Sequence, residues 1–227
     1  MKDTRLVKQI YLKCKASTSG LKGSFCYSIR TLLTSLNLAH FWNTEQIVSW
    51  KDWVGLVTTT VRQKDTERWL RSILKKSKLR LYGTLKSDLC QEEYLEWEMS
   101  SAQRQIYAQF RSGSHQLRVE RGSWIKQPVA ERVCKVCITG EVENEMHFLL
   151  QCYVYRNLRE KLFRRIKEGT GYDMWSMKDN QQWLLDVLMG HGLASKEARK
   201  LVGDLEAVAW YLATALRVRA RILKIVG

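Results

Sequence analysis

At 227 residues, 45% apolar and 27% charged, the chain has the composition of a folded domain or two with a real core. Lys and Arg number 38 against 23 Asp and Glu, a formal net charge of +15, which self-repels on folding and favours polyanionic partners, nucleic acid ahead of an anionic membrane surface. Six cysteines are too few for a dense disulfide framework, no cleavable signal follows Met1, and the longest apolar run, Ala207 to Leu216, is too short to span a bilayer, so the expectation is a reducing compartment, nuclear or cytoplasmic, with no membrane partner.

Pro128 is the one proline, and that scarcity predicts helices, because proline breaks helix interiors. Leu6, Ile10, Tyr11 and Leu12 predict a first helix ending before a loop over Ser17 to Gly23. Ile29, Leu32, Leu33 and Leu36 share one face of a second helix over Ser24 to Leu38, followed by an aromatic elbow at His40, Phe41 and Trp42. Asn43 or Thr44 would cap the next segment, with Glu45 in its first turn. There Ile47, Val48, Trp50, Trp53, Val54, Leu56 and Val57 are apolar nearly all round and predict a well-buried helix that kinks or breaks at Thr58, Thr59 and Thr60. A further helix is expected over Asp65 to Lys75. Cys14, Cys26 and Cys90 stand alone and read as buried thiols.

Arg62, Lys64, Arg68, Arg71, Lys75, Lys76, Lys78, Arg80 and Lys86 crowd one stretch that also holds Tyr82. Cations interleaved with an aromatic suit backbone phosphates with base stacking, and at +15 this reading outweighs a merely solvated helix face. Ser87 to Met99 predicts a helix whose Glu92, Glu93, Glu96 and Glu98 form an exposed acidic face rather than a catalytic carboxylate cluster. Ala102 to Arg111 continues as helix and stops at Gly113. Gln116 to Trp124 alternates weakly and predicts an extended or hairpin segment, with Arg111, Arg118, Arg121 and Lys126 around it. Trp124 and Tyr82 are stacking candidates, with the core as the commoner fate of a tryptophan.

Cys134, Cys137, His147 and Cys152 follow the spacing C-x2-C-x9-H-x4-C. Thiolate sulfur with imidazole nitrogen is the donor set that zinc prefers, and four protein ligands leave no open position for chemistry, so the expectation is one structural Zn2+. His147 and Cys152 are five apart, which on a regular helix turns their side chains away from each other. The helix carrying His147 is therefore expected to be short and to end or bend at Cys152, with a second helix from Tyr153 to Lys167 stopped by Gly169 and Gly171. Glu141, Glu143 and Glu145 stand where a helix start favours anions. Loss of the metal is expected to unfold Gly122 to Arg165.

Met174 to Gly227 reads as two helices. Trp183, Leu184, Leu185, Val187 and Leu188 mark the first, closed by Gly190, His191 and Gly192; the second runs from Ser195 to Leu223 with Leu201, Leu205, Val208, Leu212 and Leu216 on one face. Asp179, Asp186 and Asp204 read as surface carboxylates, not as a nuclease set.

Several of these stretches together resemble a known family. Arg132-Val133-Cys134, Cys137, Val142-Glu143-Asn144-Glu145, His147-Phe148-Leu149-Leu150, Cys152 and Tyr155 with Leu158-Arg159 are similar to the C-terminal zinc-binding segment of non-LTR (LINE-type) retrotransposon reverse transcriptases. Upstream, Ser77 to Tyr82 with Lys86, Glu93-Tyr94-Leu95, Arg111 to Leu117 and Val119 to Gly122 are similar to the segment before that motif, and Trp42, Gln46 and Trp69 also match. The resemblance covers about the first three quarters of the chain. It implies a region that follows the polymerase thumb and helps hold template RNA and target DNA. The chain departs from the family at Asn144 (often Asp), Tyr153 (often Pro) and Ser123 (often Arg), and it has no Asp-Asp pair of the polymerase palm.

The combined expectation is a mainly α protein: a helical bundle-like body with a small CCHC zinc-binding segment and little or no β structure. It is organised as a basic helical region over 1–112, the zinc segment over 113–170 and a C-terminal helical pair over 171–227. The expected function is binding of RNA and/or DNA without catalysis, alone or beside a separate reverse transcriptase or other protein. Phosphate contacts would come from the basic run, from Arg111, Arg118, Arg121 and Lys126, and from Arg156 and Arg159. The alternative is a zinc-containing protein-interaction module, a repurposed retrotransposon reading frame.

Overall fold

The computed structural model describes residues 3–18, 20–43, 49–191 and 205–226. Expectations that fall on Thr44, Glu45, Gln46, Ile47, Val48, Gly192, Ser195, Leu201 and Asp204 lie outside the described residues. The protein is mainly helical; among the described residues β structure is confined to one antiparallel bridge, Val133 with Val142. No described helix is long and apolar enough to cross a membrane.

The chain divides into two compact units, Met1–Arg68 and Trp69–Gly227. The expected divisions at 112 and 170 both fall inside the second unit, because the helices and the Cys/His segment on either side of them share one core.

In the first unit, α1 (Asp3–Thr18) packs on α2 (Phe25–Ser35), and α2 on the short α3 (His40–Asn43). Ser24 caps α2 by accepting the Tyr27 N–H at 3.1 Å. The core is small: Cys26, Leu33, Leu36, Leu38 and Trp42, with Ile29, Phe41, Trp53 and Val57 against it. The Lys15 ammonium lies over the Trp42 ring, 4.8 Å from its centroid, a cation–π contact. Of the lone cysteines only Cys26 is buried; Cys14 and Cys90 are exposed, against expectation.

The helix α4 (Trp50–Leu74) is continuous, so the break expected at Thr58 to Thr60 is absent. Three threonines cost a helix only a few tenths of a kcal/mol each, and the Thr60 hydroxyl turns back to the Leu56 carbonyl at 2.8 Å. Nor is the first half of α4 buried: Trp50, Val54 and Leu56 are exposed.

The second unit is built around α10 (Leu205–Val226), which packs against α6 (Ser101–Arg111) and α8 (Arg156–Thr170). A single apolar face was the expectation for this helix, yet from Leu205 to Leu212 it is buried on most sides. Ala207, Ala209 and Ala215 explain the difference, since small side chains let neighbouring helices close in where larger ones would hold them off. Ser100 and Gln103 start α6 with a reciprocal capping box, and Gly171, in the left-handed region at φ 77°, ends α8. Gly169, expected to stop α8, lies within it. Asn180 caps α9 (Gln181–Leu188) through the Trp183 N–H.

Two expectations in this unit fail because buried polar groups claim the backbone, one from nearby in the sequence and one from far away. Ser87 to Met99 is not an α-helix; only a 3-10 turn forms over Glu93–Glu96. Its chain wraps the buried Lys86 ammonium, which donates to the Cys90 and Gln91 carbonyls after the short α5 (Arg80–Leu85). Gln116 to Trp124 is not extended; it forms α7 (Arg118–Trp124). The Glu143 carboxylate accepts the Arg118 N–H at 2.8 Å, and the Glu143 carbonyl accepts that of Val119 at 3.1 Å, so α7 starts on an acid 25 residues away in sequence.

Candidate metal centre and its surroundings

Cys134, Cys137, His147 and Cys152 come together, all four buried, with their ligand atoms within 4.8 Å of one another. These residues can hold a metal ion. The first two lie on a turn held at its base by the Val133–Val142 bridge, by the Cys134 N–H to the Glu141 carbonyl at 2.9 Å and by the Glu143 N–H to the Arg132 carbonyl at 3.0 Å. His147 Nε2 lies 3.4 Å from Cys137 Sγ.

The five-residue separation of His147 and Cys152 is solved by a π-turn over His147–Gln151. In it the Cys152 N–H reaches the His147 carbonyl, five residues back, at 2.7 Å. The wider turn sets the two ligands one above the other, which a 3.6-residue turn cannot do. The turn begins where Asn144 accepts the His147 N–H at 2.8 Å, so an asparagine does the capping of an aspartate. It ends at Cys152, and a 3-10 turn over Tyr153–Tyr155 leads into α8, so the expected bend at Cys152 is present.

Widening a helix leaves carbonyls without their regular partners. Here Arg159 donates to the Leu149 carbonyl at 2.7 Å and to the Cys152 carbonyl at 2.8 Å. Tyr211 of α10 donates to the Phe148 carbonyl at 3.0 Å. Phe148 and Leu149 point the other way, into the core among Phe110, Tyr155 and Tyr211.

A layer of buried ion pairs surrounds the cluster. Glu143, fully buried, takes both Arg219 Nε and Nη2 at 2.7 Å, and its Oε1 lies 3.8 Å from Cys134 Sγ. Glu145 takes Arg80 Nη2 at 2.6 Å and His115 Nε2 at 2.8 Å, and Arg80 also reaches Glu120. Burial opposes ionisation of Glu145, but His115 and Arg80 outweigh it and hold its pKa near 2. Glu143 and Glu145 are thus committed to buried pairs and not to the start of a helix in their own segment, while Glu143 serves the N-terminus of α7.

The four side chains share protons among themselves, and Cys134 also faces Glu143 and Cys137 the Thr139 hydroxyl at 3.1 Å. The Cys134 thiol is pushed up to about 12 by its hydrogen bond with Cys152 and by burial, while the same hydrogen bond draws Cys152 down. Burial disfavours the His147 cation, yet the Cys134 and Cys137 sulfurs raise its pKa. A bound cation would replace this sharing of protons, because metal ligands must be deprotonated.

The candidate phosphate contacts divide sharply. Arg62 and Arg68 are exposed on α4 in the first unit, where Arg68 pairs weakly with Asp65 and Lys64 donates to the Ser35 carbonyl. In the second unit Arg71, Lys75, Lys76, Lys78, Arg121, Lys126 and Arg156 are exposed, and Trp124 is 63% exposed. Lys126 adopts φ 54° just after α7. Four others are engaged within the fold: Arg111 and Arg159 are buried, which corrects their assignment as phosphate ligands, while Arg80 and Arg118 keep part of their surface. Arg80 holds Glu120 and Glu145, and Arg118 donates to Gln127 at 2.9 Å. Arg111 is 3% exposed between Glu92 and the Met189 carbonyl, and Arg159 is the clamp of the π-turn. Tyr82, hydrogen-bonded to Glu92 and edge-on to Trp69, is no stacking platform.

Sequence reasoning missed Arg132, His115, Tyr211 and Arg219. Arg132 donates to the Val119 carbonyl at 2.6 Å and to the Gln127 carbonyl at 2.7 Å, lying so close to Gly122 that a Cβ there would meet its Cγ at 2.6 Å. Only Arg132 carried a local sign, its place two residues before the first ligand. Comparison with protein-family models, curated proteins and solved structures gives no match to this chain.

Proposed function

We propose that the chain is a zinc-stabilised nucleic-acid-binding fragment, for RNA and/or DNA, without catalysis of its own. The observation that carries the reading is the buried Cys3His cluster inside a strongly basic fold. Its donor set suits zinc above other divalent ions, and the 3.4 Å separation of Cys137 Sγ and His147 Nε2 is close to the edge of roughly 3.6 Å that tetrahedral Zn–S and Zn–N bonds imply. Cys134, Cys137, His147 and Cys152 would all bind, which closes the coordination sphere and makes the ion a cross-link. A reducing compartment, nuclear or cytoplasmic, keeps such thiols available.

The charge supports a polyanionic partner. Among the described residues the buried acids Glu120, Glu143 and Glu145 are nearly balanced by the buried bases Lys86, Arg111, Arg159 and Arg219, so most of the surplus of +15 lies outside the buried set. The resemblance to the tail of non-LTR retrotransposon reverse transcriptases supports the same reading and makes a separate reverse transcriptase the first protein partner to try. The exposed Trp124, Ile125 and Val129 favour a second reading, a protein-docking module.

A salt titration separates the two. Each phosphate contact gives about −0.9 in the slope of log affinity against log salt on duplex DNA and about −0.7 on single strands. A steep linear slope is expected on either polymer for protein carrying about one zinc per chain, with binding lost on chelation. Undetectable binding to RNA and DNA at low salt would sink the nucleic-acid reading.

A further inference from the structure

An open cleft of about 500 Å³ lies along α8 in the second unit, away from the metal ligands. One wall is the α8 face carrying Arg156, Glu160, Arg164 and Lys167, spaced by four, four and three residues and so on one side of the helix. The other wall is Trp175, on the 3-10 turn Met174–Met177. Its ring leans edge-on against the buried Phe163, with centroids 5.0 Å apart at 74°, and stays 42% exposed. The turn is fixed by Asp173, whose carboxylate accepts the Trp175 N–H at 3.0 Å and the Lys167 ammonium at 2.8 Å.

We infer that this cleft is the single-strand subsite of the protein: one unpaired base lies against Trp175 while the flanking phosphates follow Arg156, Arg164 and Lys167. The inference rests on the nucleic-acid reading and says where, and on which form, the protein acts. An aromatic wall beside a row of cations is what sequence-tolerant single-strand binding requires, since every base has a π-face and every linkage a charge. A duplex keeps its base faces stacked and cannot offer one to a lone indole. From Arg156 to Lys167 the helix rises about 16 Å, the length of a few extended nucleotides. Arg156 pairs with Glu160 at 3.0 Å and Lys167 with Asp173 at 2.8 Å, but these side chains are between 40% and 72% exposed. Such pairs are weak and leave the cations open to exchange for a phosphate. The cleft also depends on the metal centre, because Arg159 ties the first turn of α8 to the Cys152 carbonyl.

The test measures binding of the metal-loaded chain to a labelled 15-nucleotide uridine oligomer and to a duplex of equal length, by fluorescence anisotropy. Trp175→Ala is expected to weaken oligomer binding about ten-fold and leave duplex binding unchanged, while Trp175→Phe retains most of the affinity. Arg164→Gln, on the exposed face of α8, is expected to reduce the single-strand salt slope by about 0.7. If the wild type binds the oligomer and both Trp175→Ala and Arg164→Gln leave it unaltered, this subsite is wrong and the broader function stands. Equal losses on oligomer and duplex from Trp175→Ala, or displacement of the oligomer by an acidic peptide at similar concentration, would also overturn it. A wild type that binds neither polymer removes the broader reading as well.

Discussion

Glu143 joins more of the second unit than any other side chain around the metal ligands. It starts α7 through Arg118, anchors α10 through Arg219 and lies beside Cys134. Removing it strands a guanidinium that is 6% exposed, so Glu143→Ala is expected to destabilise the protein by about 3–5 kcal/mol in urea unfolding. Replacing both partners, Glu143→Met with Arg219→Met, should cost less than either single change, since no charge is left buried. A loss below about 1 kcal/mol for the alanine variant would show that the pair behaves like a surface contact. The residue was visible in the sequence only as one acid near a helix start. Its real partner is 76 residues away, a distance at which no local pattern operates. The metal ligands are the opposite case. Cys134, Cys137, His147 and Cys152 are specified by spacing within one short stretch, and the structure gathers all four.

At the scale of the element, the π-turn shows what spacing can and cannot say. The five-residue step from His147 to Cys152 demands a departure from the regular helix, and that much was legible. The form of the departure depends on who takes the spare carbonyls, and Arg159 and Tyr211 come from two other helices. Arg159→Ala should remove the shorter of two hydrogen bonds from each of two buried carbonyls, leaving the Tyr211 hydroxyl on Leu149 and the Tyr155 N–H on Cys152, both at 3.3 Å, and is expected to cost about 1–3 kcal/mol in all, seen as a lower urea midpoint and weaker metal retention. Arg159→Lys should not restore the loss, because an ammonium cannot span both carbonyls in the planar fork of a guanidinium. Retention of the metal and full stability in the alanine variant would assign the turn to the metal alone. The same reasoning explains α7 and the Ser87 to Met99 loop. Each follows a buried polar group, the distant Glu143 for α7 and the neighbouring Lys86 for the loop, whose claim on the backbone no apolar pattern registers. The helices α2 and α8 were readable from their apolar spacing and local ends, Ser24 and Gly171, while α6 reads as a continuation and its start at Ser100 with Gln103 was not legible.

At the scale of the whole molecule, the metal segment is not a detachable finger. Phe148, Leu149, Cys152 and Tyr155 belong to one core with α6, α8 and α10, so loss of the ion should loosen far more than Gly122 to Arg165. The complementary prediction removes the helix instead of the metal. A chain ending at 204 lacks Tyr211, Leu212 and Arg219, and is expected to lose near-ultraviolet circular dichroism and cooperative unfolding in the second unit while keeping most of its helical signal. An unchanged near-ultraviolet spectrum would mean that α10 is a cover and not the centre. The basic character of the protein was legible from composition, but which cations are free to act was not, because burial of Arg111 and Arg159 is decided by packing. The position of α10 has a further consequence for the protein in the cell. At about 5–20 residues per second, a ribosome delivers Arg219 roughly 4–15 s after Glu143, so during every round of synthesis the nascent thiols pass through an interval in which they can be loaded or oxidised before the helix that seals them exists.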